Sequence, residues 1–178
     1  IKLHLDGARI FLQAACENRP VSDYAAPFDT VYVSLYKYFN APSGAILAGP
    51  RSLLDGMFHT RRMFGAGLPA AWPFAAVAHH YLPGFTARFR QAADNAETWT
   101  GLISNHTAFV VERINSGTNL FRLRVTGTDP LRFRTRLNRA GVSVGRPSNT
   151  GQFLIAVNET WNRRPADDLA AVFVEALA

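Results

Sequence analysis

The stretches that decide the fold are Ile1-Lys2-Leu3-His4-Leu5-Asp6-Gly7-Ala8-Arg9 and Ser34-Leu35-Tyr36-Lys37-Tyr38-Phe39-Asn40-Ala41-Pro42-Ser43-Gly44. The first alternates apolar and polar side chains and closes on Asp6, the pattern of a sheet strand that delivers an acid at its carboxyl end. The second is led in by Asp29-Thr30-Val31-Tyr32-Val33, a β-branched and aromatic run that reads as a buried strand. Lys37 follows just beyond it. Residues 40–44 form a turn by composition, and Ala45-Ile46-Leu47-Ala48 is a short strand expected to return antiparallel near a sheet edge. Open α/β sheets bind ligands at the carboxyl ends of their strands.

Working outward, residues 9–17 read as a short helix stopped by Asn18-Arg19-Pro20. Residues 51–64 have helical spacing and end at Gly65-Ala66-Gly67, whose glycines can terminate a helix and let backbone approach a ligand. Residues 72–81 are almost all apolar, which predicts a helix buried in a core or a subunit interface. Residues 85–103 form a long amphipathic helix with Phe85, Phe89, Ala92, Ala96 and Trp99 on one stripe. Beyond residue 106 the pattern changes to strand, strand, helix, strand, helix: residues 108–111, 120–125, 129–140 (capped by Asp129, stopped by Gly141), 152–157 and 164–177. This predicts a larger part over residues 1–106 and a small α+β domain over residues 107–178.

The chain of 178 residues is 48% hydrophobic and 18% charged, enough to bury a real core. No run of 18 apolar residues occurs, so no membrane span is expected. The single cysteine, Cys16, excludes an internal disulfide framework and is compatible with a reducing compartment, and a cytoplasmic protein is expected. Net charge is +6, yet the basic residues are dispersed. Their densest region (Arg122, Arg124, Arg132, Arg134, Arg136 and Arg139) reads as solvated surface rather than a nucleic-acid site. His59, His79, His80 and His106 lack metal-ligand spacing, so no metal is expected. Ile1 opens inside a strand pattern, which reads as the C-terminal piece of a larger polypeptide.

An acid closing one strand and a lysine following the next is what a pyridoxal-phosphate enzyme needs: a carboxylate to hold the pyridine nitrogen protonated, and an amine to carry the cofactor as an imine. For Asp6 the competing reading is a helix N-cap, since Asp-Gly precedes a helix. For Lys37 it is a surface lysine at a strand end. Residue types alone leave both open.

The segments His4-Leu5-Asp6-Gly7-Ala8-Arg9, Ser34-Leu35-Tyr36-Lys37, Ala41-Pro42-Ser43-Gly44-Ala45 and Arg61-Arg62-Met63-Phe64-Gly65-Ala66-Gly67 resemble, in order, the motifs of the threonine aldolase/β-eliminating lyase family. The likeness is close over residues 1–80 and only topological beyond. It implies the C-terminal half of an aspartate-aminotransferase-like large domain, followed by a small α+β C-terminal domain. It implies pyridoxal 5'-phosphate as cofactor, Asp6 on the pyridine nitrogen, Lys37 as the cofactor's lysine, and Arg9 on the substrate carboxylate. The implied activity is lyase or aldolase chemistry at Cα–Cβ of a β-hydroxy amino acid, with the active sites shared across a homodimer or homotetramer. Other reactions on the same imine (β-elimination, transamination) and a non-catalytic member are the alternatives. The family's serine before the lysine is Tyr36 here, and its Gly-Leu-Gly after it is Tyr38-Phe39-Asn40. Pro69 and Phe153-Leu154 stand where helper arginines are expected, with Arg146 near but out of register. These departures bear on substrate specificity more than on the cofactor.

Overall fold

The structure is a computed structural model, describing residues 1–67, 70–115 and 119–178. Pro69 therefore lies outside the described residues, as does the middle of the turn expected at 115–119. The chain divides into two compact units, Ile1–Ala87 and Arg88–Ala178.

In the first unit β1 (His4–Asp6) leads through a two-residue turn and Arg9 into α1 (Ile10–Glu17) and then α2 (Val21–Ala25), before β2 (Thr30–Ser34) and β3 (Ala45–Ala48). β1 and β2 are parallel, pairing Asp6 with Tyr32, and β2 and β3 are antiparallel, pairing Ser34 with Ala45. Crossover through a helix is what a parallel neighbour requires. α1 buries Ile10, Leu12, Ala14 and Ala15 and stops at Asn18, which takes the left-handed conformation at φ 51°. Gly7 is fixed by space: a Cβ there would stand 2.9 Å from the Tyr32 carbonyl oxygen and 3.1 Å from Val31 Cγ1. Only glycine lets the β1–α1 turn lie this close to β2.

The helix expected over residues 51–64 is broken into α3 (Arg51–Leu54) and α4 (Met57–Met63). The cause is local. Asp55 is extended, and Gly56 sits at φ 78°, which ends one helix and starts the next. α5 (Trp72–Tyr81) forms as expected, but of its residues only Ala78 is buried, and Trp72 is 74% exposed. The apolar sequence therefore marks an uncovered face in this chain rather than a core helix.

α6 (Phe85–Ser104) carries the expected stripe, with Phe85, Phe89, Ala92, Ala96, Trp99 and Ile103 all buried. In the second unit β4 (Phe109–Arg113), β5 (Leu120–Val125) and β6 (Gln152–Ala156) form an antiparallel sheet in that order. Its inner face presents Phe121, Leu123, Val125, Phe153 and Ile155. Arg122 and Arg124 share the outer face, where the Arg124 guanidinium meets Glu112 at 3.5 Å; they are solvated surface. α7 (Pro130–Arg139) starts at Asp129, whose carboxylate accepts the Arg132 N–H at 2.8 Å. A 3-10 helix (Glu159–Arg163), unforeseen from sequence, precedes α8 (Ala166–Glu175). Trp99 is the hub of this core: its ring lies 4.8 Å from Phe173, 5.3 Å from Trp161 and 5.8 Å from Phe121.

Candidate active site

Asp6 ends β1, and its Oδ1 accepts the Ala8 N–H at 3.1 Å. This is a local Asx turn, not a helix cap. The residue at the N-cap of α1 is Arg9, and the first helical N–H groups bond to the Gly7 and Arg9 carbonyls. The competing reading of Asp6 as the helix cap thus does not hold. The Asp6 side chain is exposed, and among the described residues it has no cation paired with it.

β2 leaves the sheet at Ser34, one strand over and parallel to β1. Ser34 is fully buried, and its hydroxyl donates to the Ala8 carbonyl at 2.8 Å. That bond ties the end of β2 to the turn after β1, so the two segments that carry Asp6 and Lys37 are clamped together. Lys37 then sits in the turn at residues 36–38. The loop is pinned by its aromatic neighbours. Phe39 is 1% exposed and packs against Phe11 at 5.1 Å and Phe85 at 5.0 Å, while Tyr38 stacks on Phe85 at 5.2 Å. Asn40 turns the chain at φ 55°, and the Leu35 N–H reaches the Gly44 carbonyl at 3.0 Å. Residues 38–40, which depart from the glycine-rich motif, thus anchor the lysine loop. Burial pushes the Tyr38 phenol up to about 12, against smaller downward pulls from the Phe11 backbone and the Arg9 charge.

Lys37 itself is exposed. The sequence contains two lysines, and the other, Lys2, is engaged by Asp29 at 2.8 Å. Among the described residues Lys37 has no carboxylate partner, and its ammonium lies 5.6 Å from the centroid of the Tyr36 ring. Arg9, also exposed, follows Asp6 by three residues at the start of α1. The structure thus brings Asp6, Arg9 and the lysine loop to the same carboxyl edge of β1 and β2.

Sequence reasoning passed over Tyr32. It pairs with Asp6 across the parallel register. Burial is the largest cause that raises its phenol, and the neighbouring Tyr36 and Asp6 add to the rise. The signal was its place at the level of Asp6 on the neighbouring strand.

An unpaired carboxylate, an unpaired amine and an arginine at one strand edge fit a group with a cationic heteroaromatic ring and an aldehyde. That is the chemistry of pyridoxal phosphate. Gly65 and Gly67 end α4, and a Cβ at either would meet nothing within 4 Å. Among the described residues no cluster of metal-ligating side chains occurs, and no helix is long and apolar enough to cross a membrane. A separate cavity of about 590 Å³ lies in the second unit, against Val142, Val144, Ile155, Trp161, Leu169 and Phe173. Its lining holds no carboxylate and no lysine, and its cations are Arg163 and Arg164.

The chain is similar to the low specificity L-threonine aldolase of Escherichia coli K12, at 27% identity over 168 residues, which is 93% of this chain and 44% of that protein. In three dimensions it resembles a candidate aromatic amino acid beta-eliminating lyase/threonine aldolase from Exiguobacterium sp. 255-15. The TM-score is 0.79 at 22% identity, covering 99% of this chain and 52% of that one. A candidate L-allo-threonine aldolase from Listeria monocytogenes EGD-E gives the same TM-score of 0.79 at 23% identity, covering 99% and 51%. The chain spans 26%, 38% and 44% of the length of three curated relatives that it matches. The expected aspartate-aminotransferase-like fold is the fold it has, shared also with a serine palmitoyltransferase. The sequence profile of the beta-eliminating lyases matches residues 1–126, and the chain belongs to the beta-eliminating lyase family.

Proposed function

We propose that the protein containing this chain is a pyridoxal-phosphate-dependent lyase that cleaves the Cα–Cβ bond of a β-hydroxy amino acid, as a threonine aldolase does. One observation carries this: Asp6 and Lys37 stand at the carboxyl ends of two adjacent parallel strands, clamped by the Ser34–Ala8 hydrogen bond. The family match and the likeness to threonine aldolases support the same chemistry. When bound, the cofactor supplies an electron sink for the electron pair of the breaking bond.

The chain's own residues then divide the work. Asp6 holds a proton on the ring nitrogen by opposite charge at short range. Lys37 would hold the cofactor through its amine and, when free, would serve as the acid–base group of the cleavage, in which the β-hydroxyl loses a proton and Cα gains one. Arg9 takes the substrate carboxylate, for which its planar fork is suited. In this reading residues 1–106 belong to the cofactor-binding part and residues 107–178 form the small domain. The active protein is a cytoplasmic homodimer or homotetramer with shared active sites.

The test uses the complete protein, with pyridoxal phosphate added and the adduct trapped by borohydride. Lys37→Ala is expected to lose the trapped adduct found on Lys37 in the parent. An undiminished yield in the variant, on Lys2 or elsewhere, overturns the assignment. Products formed from a panel of β-hydroxy and β-substituted amino acids then separate aldol cleavage from elimination and transamination.

A further inference from the structure

The second unit holds a cavity that the functional reading leaves unused. It opens where the chain after α7 draws away from β6. The two arms meet at one end in a turn, where the Ser148 N–H bonds to the Gln152 carbonyl at 2.8 Å. Away from that turn β6 pairs only with β5 among the described residues, so residues 141–145 run past β6 without joining its ladder. Specific bonds hold the splayed arm in place. Arg134 Nε donates to the Val144 carbonyl at 3.0 Å, and the Arg164 guanidinium donates to the Ala140 carbonyl at 3.0 Å. The resulting gap of about 590 Å³ is thus part of the build. Small-molecule sites have volumes of roughly 300–1,000 Å³.

Its chemistry is one-sided. Val142, Ile155, Leu169 and Phe173 supply an apolar wall. Trp161 adds an aromatic ring, fixed by its indole N–H on the Ala156 carbonyl at 3.1 Å. The guanidiniums of Arg163 and Arg164 complete the lining, and no carboxylate in it balances them. The acids close by in sequence do not serve either. Glu159 is paired with Arg88. Asp167 and Asp168, in the first turn of α8, lie outside the lining. Neither they nor Arg163 forms an ion pair among the described residues. Arg164 is positioned by its bond to Ala140, and a guanidinium with five N–H donors keeps others for a ligand.

We propose that this cavity binds a small carboxylate that has an apolar, aromatic body and no amino group. The guanidiniums take the carboxylate through paired N–H donors, and the body displaces water from the apolar wall. An α-ammonium would enter beside two cations with no acid to receive it, so the ligand is not the amino acid that the proposed lyase would cleave. The site stands independently of the cofactor reading, since none of its residues belongs to the first unit.

The experiment titrates hydrocinnamate into the complete protein, loaded with pyridoxal phosphate, and reads binding by calorimetry. Saturable binding is expected in the parent, weakened about tenfold in Arg163→Gln, which loses a charge-assisted contact at an exposed position. Hydrocinnamyl alcohol, the same body without the charge, is expected to bind about tenfold more weakly than the acid for the same reason. Phenylalanine, which adds only the α-ammonium, should leave the hydrocinnamate curve in place when present at equal concentration. Arg9→Gln should bind hydrocinnamate as the parent does, because Arg9 lies in the other unit. A parent that gives no saturable binding overturns the proposal, as does an Arg163→Gln variant, folded by its unchanged urea midpoint, that binds like the parent. Loss of binding in Arg9→Gln overturns it too, by placing the ligand on the other unit. Equal affinity for the alcohol, or full competition by phenylalanine, overturns the assigned ligand class.

Discussion

Ser34 illustrates how a residue inside a motif can serve the site without touching its ligand. It stands three residues before Lys37, and its hydroxyl is buried and spent on the Ala8 carbonyl at 2.8 Å. Replacing it with alanine leaves that carbonyl without its donor in a dry environment. The expected cost is about 1–2 kcal/mol, read as a lowered urea midpoint with an unchanged slope. Because the bond joins the turn after β1 to the end of β2, Ser34→Ala should also weaken cofactor capture on Lys37. Ser34→Ala with parental stability would show that the clamp contributes nothing. At this scale the positions of Asp6 at the end of one strand and Lys37 just beyond the next were legible from sequence, since the residues of each strand announce it. The partner of Ser34 was not legible, being a backbone atom 26 residues away. Nor was Tyr32, whose significance comes from the register between two strands.

Elements were legible where one physical signal dominated. α6 shows its apolar stripe in sequence because five large or small apolar residues recur at helical spacing, and all of them are buried. The antiparallel return of β3 on β2 followed from a tight turn between two short strands. The single helix expected over residues 51–64 failed because Asp55-Gly56 was weighed as helix interior, whereas Gly56 takes φ 78°. The 3-10 helix was missed because its start is set by a side chain: the Asn158 Oδ1 accepts the Thr160 N–H at 2.9 Å. α7 offers the cleanest test of a reading made from sequence. Asp129 was chosen as its N-cap and does accept the Arg132 N–H. Asp129→Ala is therefore expected to destabilise the protein by about 1 kcal/mol, and Asp129→Ser to restore most of it. Equal denaturation midpoints for parent and alanine variant would show that the cap has no effect on stability.

At the scale of the whole molecule, the first unit keeps more apolar surface in water than its residue types favour. β3 is exposed along its full length, with Ile46 and Leu47 among the uncovered side chains. α4 buries none of its residues, and Met63, Phe64 and Trp72 are each more than 70% exposed. The chain spans about half the length of the solved structures it superposes on, so two kinds of cover are available: other segments of the same protein, and a second copy. For the face of α4 and α5 we predict the second copy, in keeping with the proposed oligomer with shared sites. Charge supports this choice, since Arg61 and Arg62 interrupt the apolar face and suit an interface with a polar rim better than a buried core. The complete protein should therefore run as a dimer or tetramer by light scattering. Phe64→Glu and Trp72→Glu together should yield a folded monomer with unchanged far-ultraviolet dichroism, because a charge forced into a homomeric interface is met by its own like charge or by apolar surface. If this face is instead covered from within the same protein, the double variant would unfold or aggregate while the parent runs as a monomer. A variant that keeps the parent's oligomeric mass would place the interface on another face.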